Sequence, residues 1–87
     1  AYFKKANLEN ANLEGANLRG ANLRWTNLRN TNMKNTNLVK ADLMEAKLKD
    51  TSLEGANLKM AKGLTSEQLN GAFINDKTVL PESLKRN

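Results

Sequence analysis

Acid–base, nucleophilic or metal chemistry would have to be carried here by carboxylates and hydroxyls, because the chain contains neither histidine nor cysteine. The commonest general base, the thiolate nucleophile and the soft metal ligand are all missing. Asp42 and Glu45, three apart and flanking Leu43, come nearest to a paired-carboxylate site. Both fall on outward positions of the pattern developed below and read as solvated surface charge. No G-x-G-x-x-G or Walker-type loop is present, and Gly15, Gly20 and Gly55 mark the corners of a repeat instead. The sequence therefore assigns no catalytic residue, no cofactor-binding residue and no metal ligand, and implies no cofactor.

The remaining chemistry is recognition. A net charge of +5 and a pI near 9.8 make a nucleic acid or another acidic surface a candidate partner. Which basic residues act together depends on how the chain folds. With 87 residues and 9.7 kDa there is room for one small domain, whose layered core would be marginal. Disulfides cannot help, so stability must come from regular, repeated packing.

That regularity is plain. Phe3, Leu8, Leu13, Leu18, Leu23, Leu28, Met33, Leu38, Leu43, Leu48, Leu53 and Leu58 stand five apart without a slip. Two residues before each stands Ala or Thr, and the residue between is usually Asn, as in Asn7, Asn12, Asn17 and Asn22. On a helix, at about 100° per residue, leucines five apart would step by roughly 140° and form no stripe. On a strand of period two, an odd spacing would send each leucine to the opposite face. A chain that turns a corner within every repeat solves both problems, because each five-residue unit then points its leucine at a common axis. The Ala or Thr also points inward, where space is small. Asn suits the corners, since its side chain bonds nearby backbone.

The run ANLEN, ANLEG, ANLRG, ANLRW resembles the pentapeptide-repeat family, in twelve consecutive units over residues 1–60. The resemblance implies an all-β solenoid: a right-handed quadrilateral β-helix with four repeats per turn, hence three coils about 4.8 Å apart. The leucines and Met33 would form the inner ladders. Residues 61–87 read as a C-terminal cap. The register breaks where Gly63 takes a leucine position. Thr65 and Gln68 then form the capping-box pattern of a short helix over about 65–71, with Leu64 and Leu69 spaced as a hydrophobic staple and Gly71 as a stop. Phe73, Ile74, Val79 and Leu80 are assigned to the same lid, followed by an extended tail. The N-terminal end has no such lid, so either upstream chain covers it or two copies meet end to end as a homodimer.

Stacking one coil on the next brings together residues twenty apart. Lys4, Arg24 and Met44 share a column beside Lys5, Trp25 and Glu45. Glu14, Lys34 and Glu54 share another, expected to be an ion-pair ladder. The most concentrated candidate partner-binding face comprises Lys4, Lys5, Arg19, Arg24, Trp25 and Lys40, where an exposed Trp beside Arg has the character of a binding hot spot.

The leading functional expectation is a non-enzymatic binding or scaffold module that presents a flat solenoid face to a protein partner. Nucleic-acid or polyanion binding through the basic face is the alternative. Some members of the resembled family mimic duplex DNA and bind topoisomerases, a role that needs a long, acidic rod; this basic chain of three coils, about 15 Å tall, does not suit it. Ice binding fails because Thr26, Thr31, Thr36 and Thr51 sit at inward positions. No run is long and apolar enough for membrane insertion. The chain begins at Ala1 rather than Met, so the compartment is open: cytoplasmic, or periplasmic or thylakoid-lumenal if a leader was removed.

Overall fold

A computed structural model describes residues 2–84; Ala1, the first residue of the array, and residues 85–87, the last of the cap, lie outside the described residues. Parallel bridges join positions twenty apart. Tyr2, Asn22, Asp42 and Lys62 form one ladder, and Asn7, Asn27 and Lys47 the next. Asn12, Asn32 and Ser52 form the third, and Asn17, Asn37 and Asn57 the fourth. Four ladders per twenty residues make a four-sided solenoid.

Its sides are not strands. Among the described residues each side contributes a single bridged residue per coil, and no continuous strand forms. The solenoid expected from the repeat is thus built on isolated parallel bridges, for a reason that lies in the repeat. The amide of each repeat's first residue donates to the leucine carbonyl three before it, as in Ala6 to Phe3 (2.8 Å) and Ala41 to Leu38 (3.0 Å). A turn so closed takes four of every five residues and leaves one to pair along the side.

The turn also explains the other consensus positions. The side-chain oxygen of the second residue accepts from the amide two on, as in Glu9 to Asn7 (3.0 Å) and Lys59 to Asn57 (3.0 Å). The fifth residue has positive φ in every repeat, between 58° and 73°. Gly15 and Gly20 adopt that conformation freely and Asn10, Asn30 and Asn35 at modest cost, whereas Lys40 and Met60 carry the steric penalty of a left-handed residue.

Inside, Leu23, Leu28, Met33 and Leu38 of the middle coil are fully buried. Thr26, Thr31, Thr36 and Thr51 are buried beside them with their hydroxyls satisfied: Thr26 donates to Leu23 O, Thr31 to Leu8 O (2.8 Å), Thr36 to Met33 O (2.8 Å) and Thr51 to Leu28 O (2.6 Å). A buried hydroxyl with a partner avoids the desolvation cost that would exclude Thr from this column.

The C-terminal segment is a partial fourth coil rather than a lid laid across the third. Lys62 extends the first ladder. Gly63 then leaves it with φ +71°, against Met44, whose Cα would lie 2.7 Å from any Cβ at this position. Helix α1 (Ser66–Asn70) occupies the second side, with Thr65 as N-cap, a complete capping box and Gly71 as C-cap. Leu69 is buried and Leu64 packs against the core. The third and fourth ladders resume at Phe73 and Val79, opposite Ser52 and Asn57. Phe73 N donates to Thr51 O (2.9 Å) and Leu53 N to Phe73 O (2.7 Å), so Phe73 occupies the place of a repeat's asparagine and its side chain faces outward. Within the cap Phe73 is therefore 52% exposed, and Val79 is exposed by the same logic. Ile74 and Leu80, one residue on, take the leucine positions and pack against the core.

Candidate functional site

The candidate face lies on the side of the Tyr2–Asn22–Asp42–Lys62 ladder and the two corners that flank it. At one corner Lys5 N donates to Arg24 O (2.9 Å) and Trp25 N to Met44 O (3.0 Å), which stacks Lys4 and Lys5 beneath Arg24 and Trp25 and these beneath Met44 and Glu45. At the other, Gly20 N donates to Val39 O (2.8 Å), placing Arg19 and Lys40 in successive coils. All six residues thus border one side of the solenoid, in two clusters separated by its width.

Their side chains are not equivalent. Arg24 Nε bonds Asp42 Oδ2 at 3.1 Å, with both groups about one-third exposed. Such a partly exposed pair adds little stability, about 1 kcal/mol or less, but it removes Arg24 from the free positive charge of the face. Lys4, Lys5, Arg19 and Lys40 are exposed. Trp25 is 50% exposed although its backbone has φ +63°. A bulky residue in that region is uncommon, and Gly or Asn would fit at lower cost.

Trp25 also lines a groove of about 490 Å³ between its corner and helix α1, together with Met44, Glu45, Lys47, Glu67 and Gln68. Two carboxylates thus stand within the groove that the tryptophan borders. Gln68 gives it a rigid wall. Its Nε2 donates to Leu43 O (2.9 Å) and Ala46 O (2.8 Å), while its Oε1 accepts from Thr65 N (2.8 Å). One side chain thereby completes the capping box and fixes α1 on the coil beneath. Nothing in the sequence distinguishes this second role from ordinary capping.

Elsewhere the surface differs from expectation. Glu14 accepts from Asn32 Nδ2 (3.3 Å) and makes no ion pair with Lys34 among the described residues, so the expected ladder of Glu14, Lys34 and Glu54 does not form. A second groove, of about 430 Å³, is lined by Lys59, Met60, Val79, Leu80, Glu82 and Ser83. Among the described residues no group of three or more His, Cys, Asp and Glu is placed to hold a metal, and no helix is long and apolar enough to cross a membrane.

The family model for pentapeptide repeats matches in eight copies, over residues 1–35 and 21–59. This chain belongs to the pentapeptide-repeat family. Among solved structures, this pentapeptide-repeat protein is similar to alr5209, a pentapeptide repeat protein from Nostoc PCC 7120, at 34% identity and a TM-score of 0.61. That match covers 98% of this chain and 74% of the other. It also matches Rfr23 from Cyanothece 51142 (29% identity, TM-score 0.42, covering 92% of this chain and 60% of that one). HetL from Nostoc PCC 7120, a protein involved in heterocyst differentiation regulation, matches at 24% identity and a TM-score of 0.45, over 94% of this chain and 48% of its own. No curated protein matches. Family membership accounts for the solenoid and leaves the exposed corner residues undictated by the repeat.

Proposed function

We propose that this pentapeptide-repeat protein is a non-enzymatic binding module that presents the side flanked by Trp25 to a protein partner. The proposal takes the solenoid as a right-handed quadrilateral β-helix of three coils, whose flat sides offer a rigid surface at low entropic cost. The observation that carries it is Trp25: an aromatic side chain half in solvent, on a backbone conformation that disfavours it, at the mouth of a groove. Strained and exposed residues are retained where a partner uses them more often than where nothing does. Lys4 and Lys5 below it, and Glu45 and Glu67 beside it, suit a partner surface of mixed charge. The same mixture weighs against a nucleic acid, since Arg24 is already paired and two carboxylates line the groove.

Two measurements test this reading. Fluorescence anisotropy of labelled duplex and single-stranded DNA and RNA, at about 50 and 200 mM salt, should show no binding; tight binding that falls steeply with salt overturns it. A photo-crosslinker at Lys40, on the far edge of the same side, should capture a discrete protein from cell extract, and Trp25→Ala should abolish the capture. Equal capture by the variant would remove Trp25 from the interface.

A further inference from the structure

We infer that the groove of about 430 Å³ between the third coil and the C-terminal segment receives the carboxyl terminus of a partner peptide that ends in an aliphatic residue. This goes beyond the face that Trp25 borders and uses none of its residues.

The winding leaves one backbone amide of this groove without its acceptor. In the lower coils the fifth residue of each repeat donates along the axis to a carbonyl one coil on, as Gly20 does to Val39 O (2.8 Å) and Lys40 to Lys59 O (3.1 Å). The third coil loses that regular partner because the chain above it changes course. Asp50 N finds Gly71 O (2.7 Å) and Gly55 N finds Asn75 Oδ1 (3.1 Å) instead. Met60 N finds no acceptor among the described residues. Asn57 pairs with Val79, two residues later than the twenty-residue period requires, so the carbonyl due over Met60 N is that of Pro81. That carbonyl accepts from Leu84 N (2.9 Å) within the 3-10 turn Glu82–Leu84. Described residues on both sides thus open the place, and it is the place of a peptide carbonyl. The Leu80 amide, in the same groove, is likewise unpaired among the described residues.

The surroundings of that amide decide what fits. Lys59 and Met60 form one bank of the groove; Val79, Leu80, Glu82 and Ser83 form the other. The walls are chiefly apolar, and two of their side chains stand well into solvent: Met60 is 56% exposed and Val79 40%. Met60 does so at φ 62°, where Gly or Asn would cost less. A flexible thioether beside a valine and a leucine can adapt to an aliphatic side chain. Lys59, the residue before Met60, is exposed and makes no ion pair among the described residues. An N–H donor beside an ammonium group suits an acceptor that carries negative charge. Glu82, on the facing bank, suits the amide N–H that a peptide presents just upstream of its terminus. A carboxylate that carries an aliphatic side chain and is preceded by peptide N–H groups is the end of a chain. A fatty acid matches the lysine and the apolar wall but has no donor for Glu82. The Glu45 amide is also unpaired among the described residues, but its groove is the one that Trp25 borders, where Glu45 and Glu67 repel a carboxylate.

Fluorescence anisotropy of the 87-residue protein with an N-terminally labelled hexapeptide ending in Val-Leu tests this. The free-acid peptide should bind with a dissociation constant of about 10–200 μM, and its C-terminal amide about tenfold more weakly or worse. A free acid ending in glycine should lose a similar factor, because it leaves the apolar wall uncovered. Lys59→Ala should weaken the free acid about fivefold or more and leave the amide unchanged, whereas Met60→Gly should weaken both. Both residues are exposed, and glycine adopts the left-handed φ of Met60 freely, so the variants should melt with the parent by circular dichroism. Lys34→Ala, at another corner, should change nothing; a loss there would mean that general positive charge holds the peptide. No binding up to about 1 mM peptide, equal binding of acid and amide, or indifference to Lys59→Ala and Met60→Gly would overturn the assignment. Decanoate that displaces the peptide at equal affinity would make the groove a fatty-acid site instead.

Discussion

The first and third coils of the solenoid are built from the same repeat and are covered to different extents among the described residues. At the C-terminal end Leu43, Leu48, Leu53 and Leu58 are almost wholly buried, because Lys62, helix α1, Phe73 and Val79 extend or replace the ladders over them. In the first coil Phe3, Leu8 and Leu13 have the same role, have no coil below them among the described residues, and are only partly buried. A leucine in this fold is therefore buried by its neighbouring coils and not by its own, which is the nearest-neighbour logic of repeat proteins. A terminal coil is half a core.

The sharpest way to break that contrast is to place a charge in each. Leu28→Lys, in the fully enclosed middle coil, should cost more than about 4 kcal/mol and unfold the protein. Leu8→Lys should cost about 1–2 kcal/mol, since Leu8 is only partly buried and the amine can extend to water. Equal losses in urea denaturation would mean that the first coil is enclosed after all.

Glycine substitutions draw the same line in the backbone. Gly63→Ala adds a Cβ 2.7 Å from Met44 Cα at φ +71°, whereas Gly15→Ala meets nothing within 4 Å at φ +72°. Both incur left-handed strain of about 1–2 kcal/mol; only Gly63→Ala must also displace backbone, for a total of about 2–4 kcal/mol. Thermal melts that rank the two alike would show that the close approach to Met44 relaxes freely. Gln68→Ala, which strips two carbonyl bonds and half the capping box, should cost about 1–3 kcal/mol, with hydrogen exchange accelerated over residues 43–46 and α1 but not in the first coil.

The smallest effect has the opposite sign. Lys40→Asn and Trp25→Asn put a residue that tolerates left-handed φ where a poorly suited one stands, and each should stabilise by about 0.5 kcal/mol. For Trp25 the gain should come with loss of partner capture. A loss of stability would show that the indole packs for the fold's own sake.

How much of this the sequence discloses varies with the range of the interaction. The inward leucines are legible because a period of five defeats both regular elements, and Thr65 with Gln68 because a capping box spans only three residues. The left-handed fifth position is half legible: Gly15, Gly20, Asn10 and Asn30 signal it, while Trp25, Lys40 and Met60 conceal it. The outward setting of Phe73 and Val79 is illegible, since it depends on how many residues the chain spends on α1 and on the turn at Asp76–Lys77. Hydrophobicity alone sends both residues inside, and the bridges send them outside. The second role of Gln68 escapes for a similar reason: its carbonyl partners lie 22 and 25 residues away. The Arg24–Asp42 pair follows from the twenty-residue offset once Asn22 and Asp42 are known to share a ladder. The candidate face as a recognition surface has no comparable signal, because exposed corner residues are the ones the repeat leaves free.

The offsets of the last bridges have one more consequence. Within the array partners stand twenty apart, but Ser52 pairs with Phe73 at an offset of twenty-one and Asn57 with Val79 at twenty-two. The winding slips out of phase by one residue and then by another, as a crystal does at a dislocation. A coil laid beyond it would find no periodic template to copy. In the vocabulary of polymer growth, the step at Ser52–Phe73 and Asn57–Val79 is a termination event: it ends the strict twenty-residue period on the C-terminal side of the array.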